Sequence, residues 1–143
     1  MRRQRILLIL AVAYGAASCV HFLHNGIYLH QYPNMPPSLT STGVYVAWLL
    51  VAASGCGGYA LYRFGWPRTG LVVLALYAAL GFAGLDHYVL APPARHTPAM
   101  HATIWCEVAA AAALLVFSVY SLFAGTRVAA AEPGGGRCGT QRY

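Results

Sequence analysis

Four long apolar stretches follow one another along the chain, and short polar or proline-rich segments separate them. They cover roughly residues 6–29, 44–62, 71–90 and 100–124. Each is long enough for a membrane-spanning helix, which needs about 20 predominantly apolar residues. The apolar residues are continuous rather than alternating, which favours helices over strands. The sequence therefore predicts an all-α, polytopic membrane protein that folds as a four-transmembrane-helix bundle.

The composition agrees with a lipid environment. Only 8% of the residues are charged and 59% are hydrophobic, whereas soluble domains are about 25% charged. So few charges cannot cover the surface of a soluble enzyme or form the basic patch of a nucleic-acid-binding protein. The lipid bilayer is the partner that this composition predicts, and no nucleic-acid partner is expected.

The arginines predict the orientation of the bundle. Of the nine arginines, only Arg95 lies in a connection that the four helices would place on the outer side. Positively charged residues are enriched in cytoplasmic loops. Both termini are therefore expected in the cytoplasm, and the multi-pass protein is expected in a bacterial cytoplasmic (inner) membrane. The remaining eight arginines are Arg2, Arg3, Arg5, Arg63, Arg68, Arg127, Arg137 and Arg142.

Two terminal segments need separate interpretation. The N-terminal arginines, the apolar run and Ala16-Ala17-Ser18-Cys19 resemble a bacterial secretion signal with a lipid-modified cysteine. Ala16 stands where such signals usually carry Leu, and apolar residues continue beyond Cys19, which favours an uncleaved helix. Cleavage before Cys19 stays open as an alternative. Residues 1–128 form the predicted transmembrane domain, and residues 129–143, with their proline and glycine run, predict a disordered cytoplasmic tail.

Ionisable residues inside spanning helices are rare and usually mark function, and here they gather near the outer side. Six of them fall in the outer parts of the first, third and fourth helices: His21, His24, Asp86, His87, His101 and Glu107. Glu107 lies seven residues beyond Met100, which places it about 10 Å into the membrane. A carboxyl at that depth needs a partner or a proton.

The chemistry of these side chains suggests a bound metal or haem. Imidazole suits Zn, Cu, Fe and haem, and imidazole with carboxylate suits Zn or Fe. We expect His21, His24, His87 and His101 to be the cofactor ligands. A metal site would add Asp86 and Glu107 to the same histidines. The leading hypothesis is thus an outward-facing site for haem b or a transition metal, serving redox chemistry or metal handling.

Other functions fit the same residues. Glu107 and the histidines also suit a proton-coupled transporter or a transport accessory. A third hypothesis is a non-catalytic assembly subunit of a larger membrane complex, and a plain hydrogen-bonded structural network is a fourth. The small size of the bundle favours a homo-oligomer or association with other membrane subunits. No motif identifies a reaction, so a non-enzymatic role is favoured over an enzyme.

Overall fold

The structure, a computed structural model, describes the backbone of residues 2–130 and the side chains of residues 2–124. In this part of the chain, every regular element is helical. The helices are α1 (Arg2–Ile27), α2 (Ser41–Arg63), α3 (Pro67–Leu80), α4 (Asp86–Leu90) and α5 (Pro98–Ala130). Short 3₁₀ segments occur at Leu29–Gln31, Gly81–Leu85 and Pro93–Arg95.

Four helical segments within the described residues are long and apolar enough to cross a membrane. They are α1, α2, the continuous run Pro67–Leu90 that contains α3 and α4, and residues Pro98–Ala124 of α5. The prediction of an all-helical fold with four helices long and apolar enough to span a membrane is thereby confirmed for the described residues. The predicted tail lies outside the described residues from residue 131 onward.

The third span is not one uninterrupted α-helix. Between α3 and α4 the chain tightens into a 3₁₀ segment, Gly81–Leu85. Its first residue is closely packed: a methyl group added at Gly81 would lie 2.6 Å from Ala111 Cβ and 2.7 Å from the Tyr14 ring. Only a glycine allows the backbone this close to its neighbours.

Threonines cap the two helices that follow the proline-rich segments. The Thr40 hydroxyl accepts the backbone N–H of Gly43 at 3.1 Å, at the start of α2. The Thr97 hydroxyl accepts the backbone N–H of Met100 at 3.3 Å, and Pro98 is the first residue of α5. This cap with a proline at the first helical position is the arrangement that the sequence predicts.

The helices pack in a ring in which α1 neighbours α2, α2 neighbours α3, α3 neighbours α5, and α5 neighbours α1. We call the end with segments 28–40 and 91–97 the loop end, and the end with Arg2 and Arg63 the arginine end. The apolar core lies on the arginine side of the middle. Its buried members are Leu7, Tyr14, Leu71, Leu74, Tyr77, Ala78, Ala111 and Leu114.

Candidate functional site

The inward face of α1 carries a polar stripe in the half nearer the loop end. Tyr14, Ser18, His21 and Asn25 are spaced four, three and four residues apart, and all four are buried. Residues at this spacing share one face of a helix. The stripe therefore points into the bundle, and the neighbouring helices must supply partners for its polar groups.

A histidine and a carboxyl group meet at the centre of this region. His21 Nε2 lies 3.7 Å from Glu107 Oε2 of α5, and each side chain is only 2% exposed. The backbone of the 3₁₀ segment closes one side of the pair, since a methyl group added at Gly84 would lie 3.4 Å from Glu107 Oε2. The third span thus contacts the pair through the backbone at Gly84, where a methyl group would also fit at ordinary van der Waals distance.

Asn25 connects this pair to the third span. Its Nδ2 lies 2.9 Å from His21 Nε2 and 3.3 Å from His87 Nε2. An amide nitrogen only donates hydrogen bonds, so both Nε2 atoms accept and a neutral ring carries its proton on Nδ1. Glu107 faces the same Nε2 of His21, and only a protonated carboxyl can donate to it. The Asn25 contacts match neutral rings protonated on Nδ1, and Glu107 lies beside His21 at 3.7 Å without a hydrogen bond between them.

Tyr32 folds back from the loop end onto the same cluster. Its ring lies 4.8 Å from the His87 ring, and its hydroxyl donates to His24 Nδ1 over 2.7 Å. Burial raises the pKa of Tyr32 to about 12, so the phenol remains a neutral donor at ordinary pH. His24 is therefore held by Tyr32, beside the central pair rather than in it.

A second group of rings lies farther toward the loop end. The Tyr88 hydroxyl is 2.6 Å from His101 Nδ1, and the two rings stack at 5.5 Å. His96, from the second proline-rich segment, is buried and lies 5.2 Å from the Tyr88 ring and 5.8 Å from the His101 ring. Since the His87 ring is 6.4 Å from His96, the two groups are contiguous.

The six predicted site residues therefore separate into subsets. His21 and Glu107 form the central pair, and His87 joins them through Asn25. The other three lie elsewhere: His24 contacts Tyr32, His101 contacts Tyr88, and Asp86 is exposed. Sequence reasoning did not assign a site role to Asn25, Tyr32, Tyr88 or His96. The four-residue spacing from His21 was the available signal for Asn25.

A metal ion and a haem have different requirements, and the cluster is compared with each in turn. Within the described residues, no three His, Cys, Asp or Glu side chains stand close enough together to hold a metal ion. A haem needs a flat space between its axial imidazoles. The His21 and His87 rings are 5.5 Å apart, and the Asn25 amide bonds both of them. A haem does not fit between these two rings as they are arranged.

Buried hydroxyl groups continue from the central pair toward the arginine end. Ser18 lies one turn from His21 on α1, and the Tyr14 and Tyr77 rings follow, with their centroids 4.5 Å apart. Buried leucines of the core, including Leu7, Leu74 and Leu114, come next. Two further serines of α5, Ser118 and Ser121, are also buried, and Ser118 lies at about the depth of Leu7 and Leu74. The described core between the cluster and the arginine end is thus mostly, but not entirely, apolar.

No family model, curated protein or solved structure matches the chain. Function must therefore be inferred from the geometry. The central pair can exist in two arrangements that differ in the position of one proton. In one, a protonated Glu107 lies beside a neutral His21. In the other, a carboxylate lies beside an imidazolium. The Asn25 amide and the His87 ring extend this pair toward the loop end. Chemically, the cluster is suited to holding a proton and exchanging it through that end.

Proposed function

We propose that the protein lies in a bacterial cytoplasmic membrane with both termini inside and the loop end outside. The distribution of arginines supports this orientation. Arg2, Arg3, Arg5, Arg63 and Arg68 all lie at the arginine end, whereas Arg95 lies at the loop end. Positive residues are retained on the cytoplasmic side. The cluster would then open toward the outer face.

We further propose that the protein is a proton-coupled transporter or transport accessory whose proton-exchange site is the Glu107–His21 pair. The observation that carries this proposal is the distance of 3.7 Å between two ionisable side chains that are each 2% exposed. An acid and a base buried together in a membrane span are costly unless they have a function or complete pairing. Here the pairing is incomplete, because His21 Nδ1 has no hydrogen-bond partner.

The surroundings of the pair support proton exchange over a purely structural network. Asn25 donates to both imidazoles, so a shift of the proton from Glu107 to His21 forces the amide to reorient. Its own Oδ1 is buried without a partner, and this oxygen is available to accept from an Nε2–H after reorientation. The reoriented amide would accept from His21 Nε2–H, and His87 would then have to change tautomer to keep its hydrogen bond to Asn25.

The test is infrared difference spectroscopy of the protein in lipid bilayers during a pH change. The wild type should show the C=O stretching band of a protonated carboxyl group, and Glu107→Gln should remove it. Glu132→Gln, which removes the acid of the C-terminal segment, is the matched control and should leave the band in place. His21→Gln should shift the band, because the partner of the carboxyl changes. A band that persists in Glu107→Gln contradicts the proposal.

Metal binding is the second candidate, and one observation favours it. His21 and His87 direct their Nε2 atoms at a single atom, Asn25 Nδ2, beside the Glu107 carboxyl. Rotation of the Asn25 side chain would leave two imidazoles and a carboxyl group around that position, a set suited to Zn or Fe. Elemental analysis of protein purified in mild detergent tests this candidate. Stoichiometric metal that is lost in both His21→Ala and His87→Ala would favour it over proton exchange.

The assembly-subunit hypothesis makes a different prediction. A protein that only supports a larger complex should co-purify with other membrane proteins, and Glu107→Gln should leave that association unchanged. Cross-linking in native membranes followed by mass determination separates this outcome from a homo-oligomer. The infrared test above is independent of it, because an accessory protein can carry a proton-exchange site of its own.

A further inference from the structure

A groove opens at the loop end between α1, α2 and α4, next to the candidate site. Its volume is about 230 Å³. The walls are apolar and include Phe22, Leu39 and Val44. Three polar residues also line it: Asn25, Asp86 and His87. An apolar cleft with a few convergent polar groups is the usual form of a small-molecule site.

The polar groups of this groove accept hydrogen bonds or carry negative charge. Asn25 is 8% exposed, its Nδ2 is engaged by two imidazoles, and its Oδ1 is a buried acceptor without a partner. The His87 Nε2 is occupied by the same amide. Asp86 is exposed and contributes a carboxyl group, and the lining contains no Lys or Arg. A matching ligand must therefore donate hydrogen bonds and tolerate or carry positive charge.

We propose that this groove binds amphipathic organic amines, with the ammonium group at the exposed Asp86 carboxyl group and the apolar body against the walls. The volume corresponds to roughly eight non-hydrogen atoms at the ~30 Å³ that a water molecule occupies. An alkyl ammonium of six to eight carbons is of this size. The groove opens between helices, so the ligand can reach it from the lipid phase.

The amine would be the species whose movement is coupled to the proton, a role that rests on the proton-exchange function proposed above. Asn25 and His87 belong both to the groove and to the cluster around Glu107. A ligand in the groove therefore lies against side chains whose arrangement the His21–Glu107 pair requires. This coupling is reciprocal, so a change in the pair should also change the affinity for the amine.

The test compares three probes with the same alkyl chain: hexylamine, hexanol and hexanoate. Binding to the purified protein in nanodiscs is measured by calorimetric titration. We expect hexylamine to bind at least tenfold more tightly than hexanol, and hexanoate to bind least. Asp86→Asn should weaken hexylamine binding about tenfold and leave hexanol unchanged, while Asp86→Glu should retain it.

Steric variants test the location. Ala47→Trp adds a large side chain to the groove lining and should abolish binding of hexylamine. Ala53→Trp, at another exposed position of α2, should bind it as the wild type does. Equal binding of hexylamine and hexanoate, or unchanged hexylamine binding in both Asp86→Asn and Ala47→Trp, overturns the proposal.

The two proposals fail separately. If amine binding is as expected but the Glu107 infrared band is missing, the proposed amine site is supported and the proposed proton exchange is contradicted. If the band is present and hexylamine does not bind, only the amine site is overturned. In Glu107→Gln, hexylamine should still occupy the groove, because this residue does not line it, but its affinity should change if the pair and the groove are coupled.

Discussion

Asn25 is the side chain on which the geometry of the cluster depends, and Asn25→Leu tests this directly. Leucine has a similar size, so the substitution removes the amide without opening a large cavity. His21 Nε2 and His87 Nε2 then lose donors at 2.9 and 3.3 Å. A buried acceptor left without a donor costs about 1–3 kcal/mol, so two cost about 2–6 kcal/mol. Hydrogen bonds between membrane helices average only about 0.6 kcal/mol, which favours the lower half, about 2–4 kcal/mol.

Two measurements check this prediction. Unfolding in lipid–detergent mixtures should show the loss of stability in Asn25→Leu and none in Gln31→Leu, a matched change of an exposed polar residue. Nitrogen NMR of labelled histidine should find His21 and His87 of the wild type protonated on Nδ1. In Asn25→Leu both rings should return to the more common Nε2-protonated tautomer. A wild type with both rings protonated on Nε2, or two equally stable variants, would refute the reasoning.

Two further predictions concern the loop end and the helix packing. Tyr32→Phe removes a donor to His24. Since burial raises the pKa of Tyr32 from 10.0 to about 12, the wild type should lose stability between about pH 10 and pH 12 more than Tyr32→Phe does, as an alkaline unfolding series will show. Gly70→Ala should destabilise the bundle by about 1–3 kcal/mol, because its methyl group would lie 2.4 Å from a backbone nitrogen of α2. Gly57→Ala, with nothing within 4 Å, is its control in thermal unfolding.

The apolar stretches predict that four spans exist, but they predict less well at which residues the helices begin and end. α1 begins at Arg2, before the first apolar residue of the predicted span, because a charged side chain ends a hydrophobic pattern without ending a helix. The break at Gly81–Leu85 could not be read from the sequence. Glycines within a helical pattern are often tolerated, and the neighbours that crowd Gly81 come from two other helices, Tyr14 from α1 and Ala111 from α5.

The sequence predicts how deep the site residues lie in the membrane, but it does not predict which of them contact one another. The depth of His21 and Glu107 along their helices already indicates that both are buried on the same side of the membrane. Which histidines meet is decided by helix rotation and by a loop residue. His21 and His24 are three positions apart, about 60° around the helix, and this is enough to turn His24 toward Tyr32 instead of Glu107. Tyr32 follows the helix, so no helical spacing predicts its contact.

The position of the mostly apolar core layer distinguishes the two forms of the proposed function. The polar stripe of α1 ends at Tyr14, and Leu7, Leu74 and Leu114 pack beyond it. In this conformation the polar contacts of the proposed proton-exchange pair continue toward the loop end through Asn25 and His87. A transporter must open this layer in a second conformation, whereas an accessory protein need not. The 3₁₀ segment Gly81–Leu85 separates α3, which carries Leu74, from α4, which carries His87, and mid-helix 3₁₀ turns often serve as hinges. For the proposed transporter we therefore expect this segment to be the place where α3 tilts while His87 stays with the cluster.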